Sequence, residues 1–429
     1  MRDLILLGLL PFLLYCSLKR PFIGLALWLW SSLVPVSVWA YGPATSIRWN
    51  MLFALCTIVS YMFSSSKRQP FYKPGLFFLV LLFFVHATVS TFFHIGIDVH
   101  VWTEWGYLFK SIVFFVFVAL IVRSKLHVEA LMWACALSIS AKASLDGLKV
   151  LLSGGSHLVK GITPTFNDNN LSALAVLVCL PMLFYLFELY KNNKLLKVGL
   201  LGLIFTNILF ILGSDSRGGF LGLSALAMYF FIKSDKKLPI AFVGIVIGGI
   251  ALSILDASWF DRMQTIQNAD QDSSFMSRVI SWKLSTILAL QRPLFGGGFD
   301  AIIHPATWNM LVLDFNTLSF ISSPMPSEKD LHVAHSIYFQ VLGDQGFLGF
   351  IIYFSIMFGA FKASRTIYKN KTRSVEVVTF AKYMSLSFLA FLVAGAALNV
   401  AYNEIIIMLV AVLCSSLFRN SHTEQAQKN

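Results

Sequence analysis

Long apolar segments follow each other along most of this chain, and short polar segments separate them. About twenty apolar residues are enough for a helix to cross the hydrocarbon core of a bilayer. The pattern predicts about thirteen such helices, or about twelve if the first two form a single tilted hairpin. Their approximate ranges are 4–18, 21–40, 47–63, 75–93, 106–122, 128–152, 170–190, 195–212, 217–232, 238–255, 338–361, 376–395 and 400–418. The predicted fold class is therefore an all-α polytopic membrane protein.

One polar segment, residues 256–335, is much longer than the others. The predicted organisation is an N-terminal transmembrane bundle (1–255), this large loop, C-terminal transmembrane helices (336–418) and a disordered cytoplasmic tail (419–429). Within the loop, Phe275–Leu290 spaces apolar residues at helical intervals. This spacing predicts an amphipathic helix at the membrane surface, with Arg278 and Lys283 among its polar positions.

The composition and the charge distribution agree with a membrane protein. The chain is 57% hydrophobic and 13% charged, whereas soluble domains carry about 25% charged residues. The formal charge of +12 comes from lysine and arginine clusters in alternate polar segments, which is the positive-inside pattern. No basic groove with interleaved aromatic residues accompanies it, so we predict a lipid bilayer as partner and no nucleic acid. The same pattern places the large loop outside the cytoplasm.

Metal and disulfide chemistry have little support in the sequence. The five cysteines lie inside apolar segments and form no Cys-x-x-Cys pair, so neither a disulfide framework nor a zinc site is expected. Asp270-Gln271-Asp272 is a D-x-D sequence, but it lies in a turn-like acidic patch, on the side of the membrane away from sugar nucleotides. We predict no metal and no other cofactor.

An arginine stands at the start of a predicted span, in Ser214-Asp215-Ser216-Arg217-Gly218-Gly219. Serine and aspartate are good helix N-caps, and the free N–H groups of a helix start suit a phosphate. Arg217 opposes the helix dipole at this position, so an anion should compensate for it. The alternative interpretation is a snorkelling arginine paired with Asp215.

Histidine and two further arginines are the other candidates for chemistry. His335 directly precedes a predicted span, where a helix N-terminus lowers its pKa and leaves the neutral imidazole that a general base needs. His332 competes for the same role, and an interfacial histidine without a role is the alternative. Arg278 and Arg292 flank the predicted loop helix. They are either solvated surface arginines or bidentate ligands of a diphosphate.

These segments together resemble the O-antigen ligase superfamily, and the resemblance spans nearly the whole chain. The resemblance rests on Ser214–Gly219 at a span start, Arg278-x-x-x-Trp282 leading to Pro293–Phe299, and His335–Tyr338 followed by Gly343–Gly349. Further segments are similar to one branch, the O-glycosylation ligases of exosortase A systems. These segments are Met1–Leu4, Arg20–Phe22, Trp259–Met263 and Thr265–Asn268.

The resemblance implies an inverting, metal-independent glycosyltransferase of the bacterial inner membrane. It would transfer a glycan from undecaprenyl diphosphate to an acceptor hydroxyl on the periplasmic face, the acceptor being a lipid core, a protein or another glycan. Arg217 would hold the diphosphate with Arg278, or with Arg292 as the alternative, and His335 would be the base or would orient the acceptor. The superfamily also includes polysaccharide polymerases. A transporter or flippase remains a further alternative because of Asn399 and Glu404 in the last hairpin.

Overall fold

The computed structural model describes residues 2–64, 69–233, 237–254, 273–327, 331–370 and 372–418. The chain is 77% helical, and the described residues contain no strand. The predicted all-α fold is therefore confirmed. The Asp270-Gln271-Asp272 sequence, the Trp259–Asn268 part of the family resemblance and the predicted tail 419–429 lie outside the described residues.

Every apolar segment of the sequence pattern contains a helix, and the large loop adds two more. The bundle helices are α1 (Arg2–Lys19), α2 (Pro21–Leu33), α3 (Trp49–Met62), α4 (Pro74–Phe92), α5 (Asp98–Ile121), α6 (Lys125–Leu152), α7 (Asn169–Leu189), α8 (Lys194–Leu212), α9 (Arg217–Lys233) and α10 (Lys237–Ile254). The loop helices are α11 (Ser273–Gln291) and α12 (Pro305–Leu313), and the C-terminal helices are α13 (Ile337–Lys369), α14 (Val375–Ala394) and α15 (Glu404–Cys414).

Seven helices in the described part of the chain are long and apolar enough to cross a membrane, which confirms a polytopic membrane protein. They are α4, α5, α6, α7, α8, α13 and α14. The other predicted spans correspond to helices of 11–18 residues. The predicted span 21–40 is shorter than expected because α2 ends at Leu33. Val34 precedes Pro35, and a residue before proline disfavours the helical conformation.

The predicted span 338–361 is not a straight helix. Within α13, Gly346 has φ 66° and ψ −173°, which breaks the helical path. Residues 337–345 therefore form a separate segment, and the part from Phe347 to Lys369 is long enough to cross a bilayer by itself. His335 precedes the first of these segments, so the break separates it from the membrane-length part of the helix.

The described part of the large loop is a folded layer with its own apolar cluster. The cluster includes Ile280 and Leu288 of α11, Trp308 of α12, and Phe315. The predicted loop helix is confirmed as α11, but its apolar side packs on protein instead of facing a membrane surface. Lys283 was predicted to lie on the polar side of this helix, but its side chain is buried. It is 3% exposed, its Nζ donates to Ile321 O (3.2 Å) and Ser323 Oγ (3.1 Å), and it lies 3.9 Å from the Phe315 ring centroid.

Candidate active site

Two glycine-rich segments interlock beside the loop helix. The amide of Gly297 donates to Gly343 O (2.9 Å), and the amide of Phe347 donates to Pro293 O (2.8 Å). Gly296 has φ +62°, and a Cβ atom there would lie 2.5 Å from Gly343 O. Only glycine allows this combination of left-handed backbone and close approach. This glycine turn, Phe295–Phe299, therefore anchors the loop to the first segment of α13.

Arg292 is part of this interlock. Its Nε donates to Gly296 O (2.7 Å), and its Nη2 donates to Phe93 O just after α4. The guanidinium thus closes the glycine turn and ties it to the end of a bundle helix. The Nε and Nη2 groups of its rigid guanidinium therefore already donate to backbone carbonyls.

Helix α11 fixes the backbone that carries His335. Trp282 Nε1 donates to Ala334 O (2.8 Å), and the Trp282 ring stacks on Phe339 with centroids 5.1 Å apart. Arg278 precedes Trp282 by four residues, so both side chains emerge from the same face of α11. The helix therefore places Arg278 on the side of α11 that faces the His335 segment.

His335 is half-buried and sits in a strained backbone conformation, with φ +47°. Its pKa lies below the ordinary value of 6.5, mainly because burial penalises the charged form, and then because of the positive charges of Arg278 and His332. The charges of Asp168 and Asp300 act in the opposite direction. The direction agrees with the sequence-based prediction, and burial is the first cause of the lowered pKa. The neutral imidazole is the form that accepts a proton.

Backbone strain is concentrated around the candidate residues. Among the described residues, the non-glycine positions with positive φ are Asp215 (+55°), Asp300 (+49°) and His335 (+47°). Such conformations cost of order 1–3 kcal/mol each and are typical of functional sites. Asp215 lies two residues before Arg217, and Asp300 ends the glycine turn, so each strained residue belongs to a segment of the candidate site.

The start of α9 is capped as the sequence predicts. Ser216 Oγ accepts from the Gly219 amide (3.2 Å), and Asn169 Nδ2 donates to Ser214 O (2.7 Å). Asp168 caps the neighbouring α7 by accepting from the amides of Asn170 (2.7 Å) and Leu171 (2.9 Å). These contacts hold half-buried Arg217 beside the start of α7.

The end of α14 connects Arg217 with His335. A Cβ atom on Gly218 would lie 3.3 Å from Ala394 O, and one on Gly395 would lie 3.0 Å from Ile337 Cδ1. The starts of α9 and α13 therefore both pack against the same short segment. The glycines after Arg217 serve close helix packing. The structure brings Arg217, Arg278 and His335 to one end of the bundle.

A polar network that sequence reasoning missed lies next to this site. Asp300 Oδ2 lies 3.2 Å from His100 Nε2, Asp300 Oδ1 accepts from Asn399 Nδ2 (3.0 Å), and the Asp300 amide donates to Asp344 Oδ1 (2.8 Å). Tyr402 OH donates to Asp344 Oδ2 (3.0 Å). The only sequence signal for Asp300 is its position directly after the glycine turn.

The two residues that supported a transporter both have local partners. Asn399 belongs to the Asp300 network, and the carboxylate of Glu404 accepts from Ser32 Oγ at 2.8 and 2.7 Å. Neither contact needs a transported ion or substrate to explain it.

The chain is thus an all-α polytopic membrane protein with arginine and histidine side chains gathered at one end of its helices. Residues 201–354 match the family model described as O-antigen ligase, a segment that contains Arg217, Arg278, Arg292 and His335. Residues 1–191 match a family of unknown function, DUF5935. No curated protein matches the chain. The O-antigen ligase match supports the resemblance to that superfamily. Together with the membrane-helical fold, it supports a membrane ligase or polymerase of the glycosyltransferase type.

Proposed function

We propose that this protein transfers a glycan from undecaprenyl diphosphate to an acceptor hydroxyl on the periplasmic face of the bacterial inner membrane. The observation that carries the proposal is the gathering of Arg217, Arg278 and His335 at one end of the bundle. A lipid-linked diphosphate leaves with negative charge, and the acceptor hydroxyl must lose a proton. The candidate residues offer two cations for the first task and one base for the second.

Arg217 is the first ligand proposed for the diphosphate. It begins α9, where the partial positive charge of a helix N-terminus adds to the charge of its guanidinium. Charge stabilisation by donors fixed before the reaction is usually the largest catalytic contribution in a site shielded from water. The arginines supply this stabilisation, so the proposed reaction uses no metal.

Arg278 is proposed as the second diphosphate ligand. It shares a face of α11 with Trp282, which bonds the backbone next to His335, and its charge acts on His335. Arg292, the alternative, donates to Gly296 O and Phe93 O in the interlock. A guanidinium held by two carbonyls has fewer donors for phosphate oxygens, so its proposed role is to hold the loop.

His335 is proposed as the base that takes the acceptor proton, or as the group that orients the acceptor. Its low pKa keeps the imidazole neutral near pH 7, and Asp168 and Asp300 are near enough for their charges to favour the imidazolium that forms. The diphosphate would leave from one face of the anomeric carbon while the hydroxyl attacks the other. This geometry inverts the anomeric configuration.

The candidate site residues are compatible with three classes of acceptor. A lipid core, a protein or another glycan each presents a hydroxyl that His335 could deprotonate. The sequence segments similar to the exosortase-associated O-glycosylation ligases support that branch of the superfamily. Exosortase or glycan-assembly genes beside this one would support the same assignment.

The test is a transfer assay with purified full-length protein, an undecaprenyl-diphosphate glycan and a candidate acceptor, with chelator present. The expected result is covalent glycan on the acceptor and release of undecaprenyl diphosphate. A longer glycan still linked to the lipid would identify a polymerase. Movement of the lipid-linked glycan across a vesicle membrane without its cleavage would contradict the proposal and favour a flippase.

A further inference from the structure

A cavity of about 580 Å³ opens between α2, α3 and α5. It lies within the segment that matches the family of unknown function, residues 1–191. Its lining shares no residue with the candidate active site. Its volume is within the range of about 300–1,000 Å³ that small-molecule sites occupy.

Two cations line this cavity without a carboxylate beside them. Arg48 stands just before α3 and Lys110 lies within α5, and both side chains are exposed. The lining contains no aspartate or glutamate, and neither cation takes part in a salt bridge within the described ranges. The Lys110 Nζ lies 5.0 Å from the Tyr107 ring centroid. The cavity therefore presents uncompensated positive charge.

Lys110 lies within a membrane-length helix. Helix α5 is one of the membrane-length helices, and Lys110 is about 18 Å along its axis from Asp98. Trp102 and Trp105 come between them, with ring centroids 5.5 Å apart, and tryptophan marks the membrane–water interface. A lysine beyond this belt is costly in hydrocarbon unless it has an anionic partner, and such residues are typically functional.

The lining of the cavity combines apolar and polar side chains. Met51 and Phe109 line it and are 50% and 44% exposed, and an exposed apolar side chain on a membrane-length helix such as α5 faces lipid. Buried Ser31 and half-buried Asn50 also line it, and Asn50 Nδ2 donates to Trp28 O (3.3 Å). This lining fits an amphiphile that enters from the bilayer with its anionic head toward the cations. A free phosphate would gain nothing from the apolar part of the lining.

We propose that this cavity binds the phosphate headgroup of an anionic membrane lipid, with Arg48 and Lys110 as the phosphate ligands and Met51 and Phe109 against the lipid chain. The site is separate from the proposed transfer reaction and does not depend on it.

The test is native mass spectrometry of the delipidated full-length protein titrated with phosphatidylglycerol, and separately with diacylglycerol of the same chains. Phosphatidylglycerol should bind more tightly. The double variant Arg48→Gln, Lys110→Met should bind it roughly tenfold or more weakly, since contacts with charged groups are worth more than a tenfold step in affinity. Lys194→Met, which removes an exposed cation outside the cavity, is the matched control and should bind as the wild type does.

A second variant keeps the charges and removes the space. Ala54 lines the cavity, so Ala54→Phe should also reduce phosphatidylglycerol binding while elution as a single species shows that the protein folds. Equal binding of the two lipids, or unchanged binding by both variants, would overturn the proposal. Displacement of the lipid by inorganic phosphate would show a soluble anion site instead. Undecaprenyl phosphate binding with the same residue dependence would support the phosphate-lipid site and identify a polyprenyl lipid as its source.

Discussion

The large loop carries two arginines in contrasting surroundings. Arg292 lies in the glycine turn, where its guanidinium donates to Gly296 O and Phe93 O and joins the loop to the bundle. Arg278 lies on α11, on the face whose Trp282 holds the backbone beside His335. Both sequence contexts are compatible with a diphosphate ligand. The contrast separates an arginine that ties two loop segments to the bundle from one whose charge acts on His335.

The largest loss of glycan transfer is expected at Arg217, against which the two loop arginines can be compared. Arg217→Ala should abolish glycan transfer, because it removes a cation at a helix start where the leaving diphosphate would gather charge. The assay is product formation by purified protein, with membrane insertion and elution profile as the control. Normal transfer by this variant would end the diphosphate role of Arg217.

His335→Ala should reduce transfer by about 10²–10⁴-fold, the usual contribution of a general base. His332→Ala should cost much less, because His332 is exposed. Single-turnover rates of both variants measure the difference. A larger loss in the His332 variant would make His332 the base, and the face of α11 assigned to the site would change with it.

Measurements of kcat and of thermal stability should distinguish the two loop arginines, Arg278 and Arg292. Arg278→Ala should lower kcat by about 10²–10³-fold, as loss of one charge-stabilising donor does, and should lower the thermal unfolding temperature less than Arg292→Ala does. Arg292→Ala should do the reverse, costing about 1.5–3 kcal/mol of stability from lost charged hydrogen bonds with little effect on kcat of the folded enzyme. Rates and unfolding temperatures measured on the same preparations decide the comparison, and an exchanged pair of outcomes would make Arg292 the ligand.

The smallest expected effect is on pH dependence. The neutral form of His335 is the active one, so kcat/KM should fall as the pH drops through its lowered pKa. In Asp300→Asn a charge that raises this pKa is lost, so the acidic limb should move to lower pH. Arg278→Gln removes a charge that lowers the pKa, so the limb of its residual activity should move to higher pH. pH profiles that do not move, or that move the other way, would show that the charges of Asp300 and Arg278 do not act on the pKa of His335 in this way.

The helices were predictable because apolar length and periodicity depend on neighbouring residues. The same holds for the Asp168 and Ser216 caps, where side chain and backbone are only a few residues apart. The interlock of Gly296 with Gly343 was not predictable, since it joins distant segments through backbone atoms. Lys283 was misplaced for a related reason: its partners, Ile321 and Ser323, lie outside the helix whose pattern was analysed. The Asp300 network likewise joins four separate parts of the chain, around residues 100, 300, 344 and 400.

The most direct measurement is a cryo-electron microscopy structure of the purified protein with a non-transferable undecaprenyl-diphosphate glycan. The account predicts the guanidinium groups of Arg217 and Arg278 at about 2.7–2.9 Å from diphosphate oxygens, with His335 on the opposite side of the anomeric carbon. A diphosphate bound by Arg292, or bound away from Arg217, would contradict it.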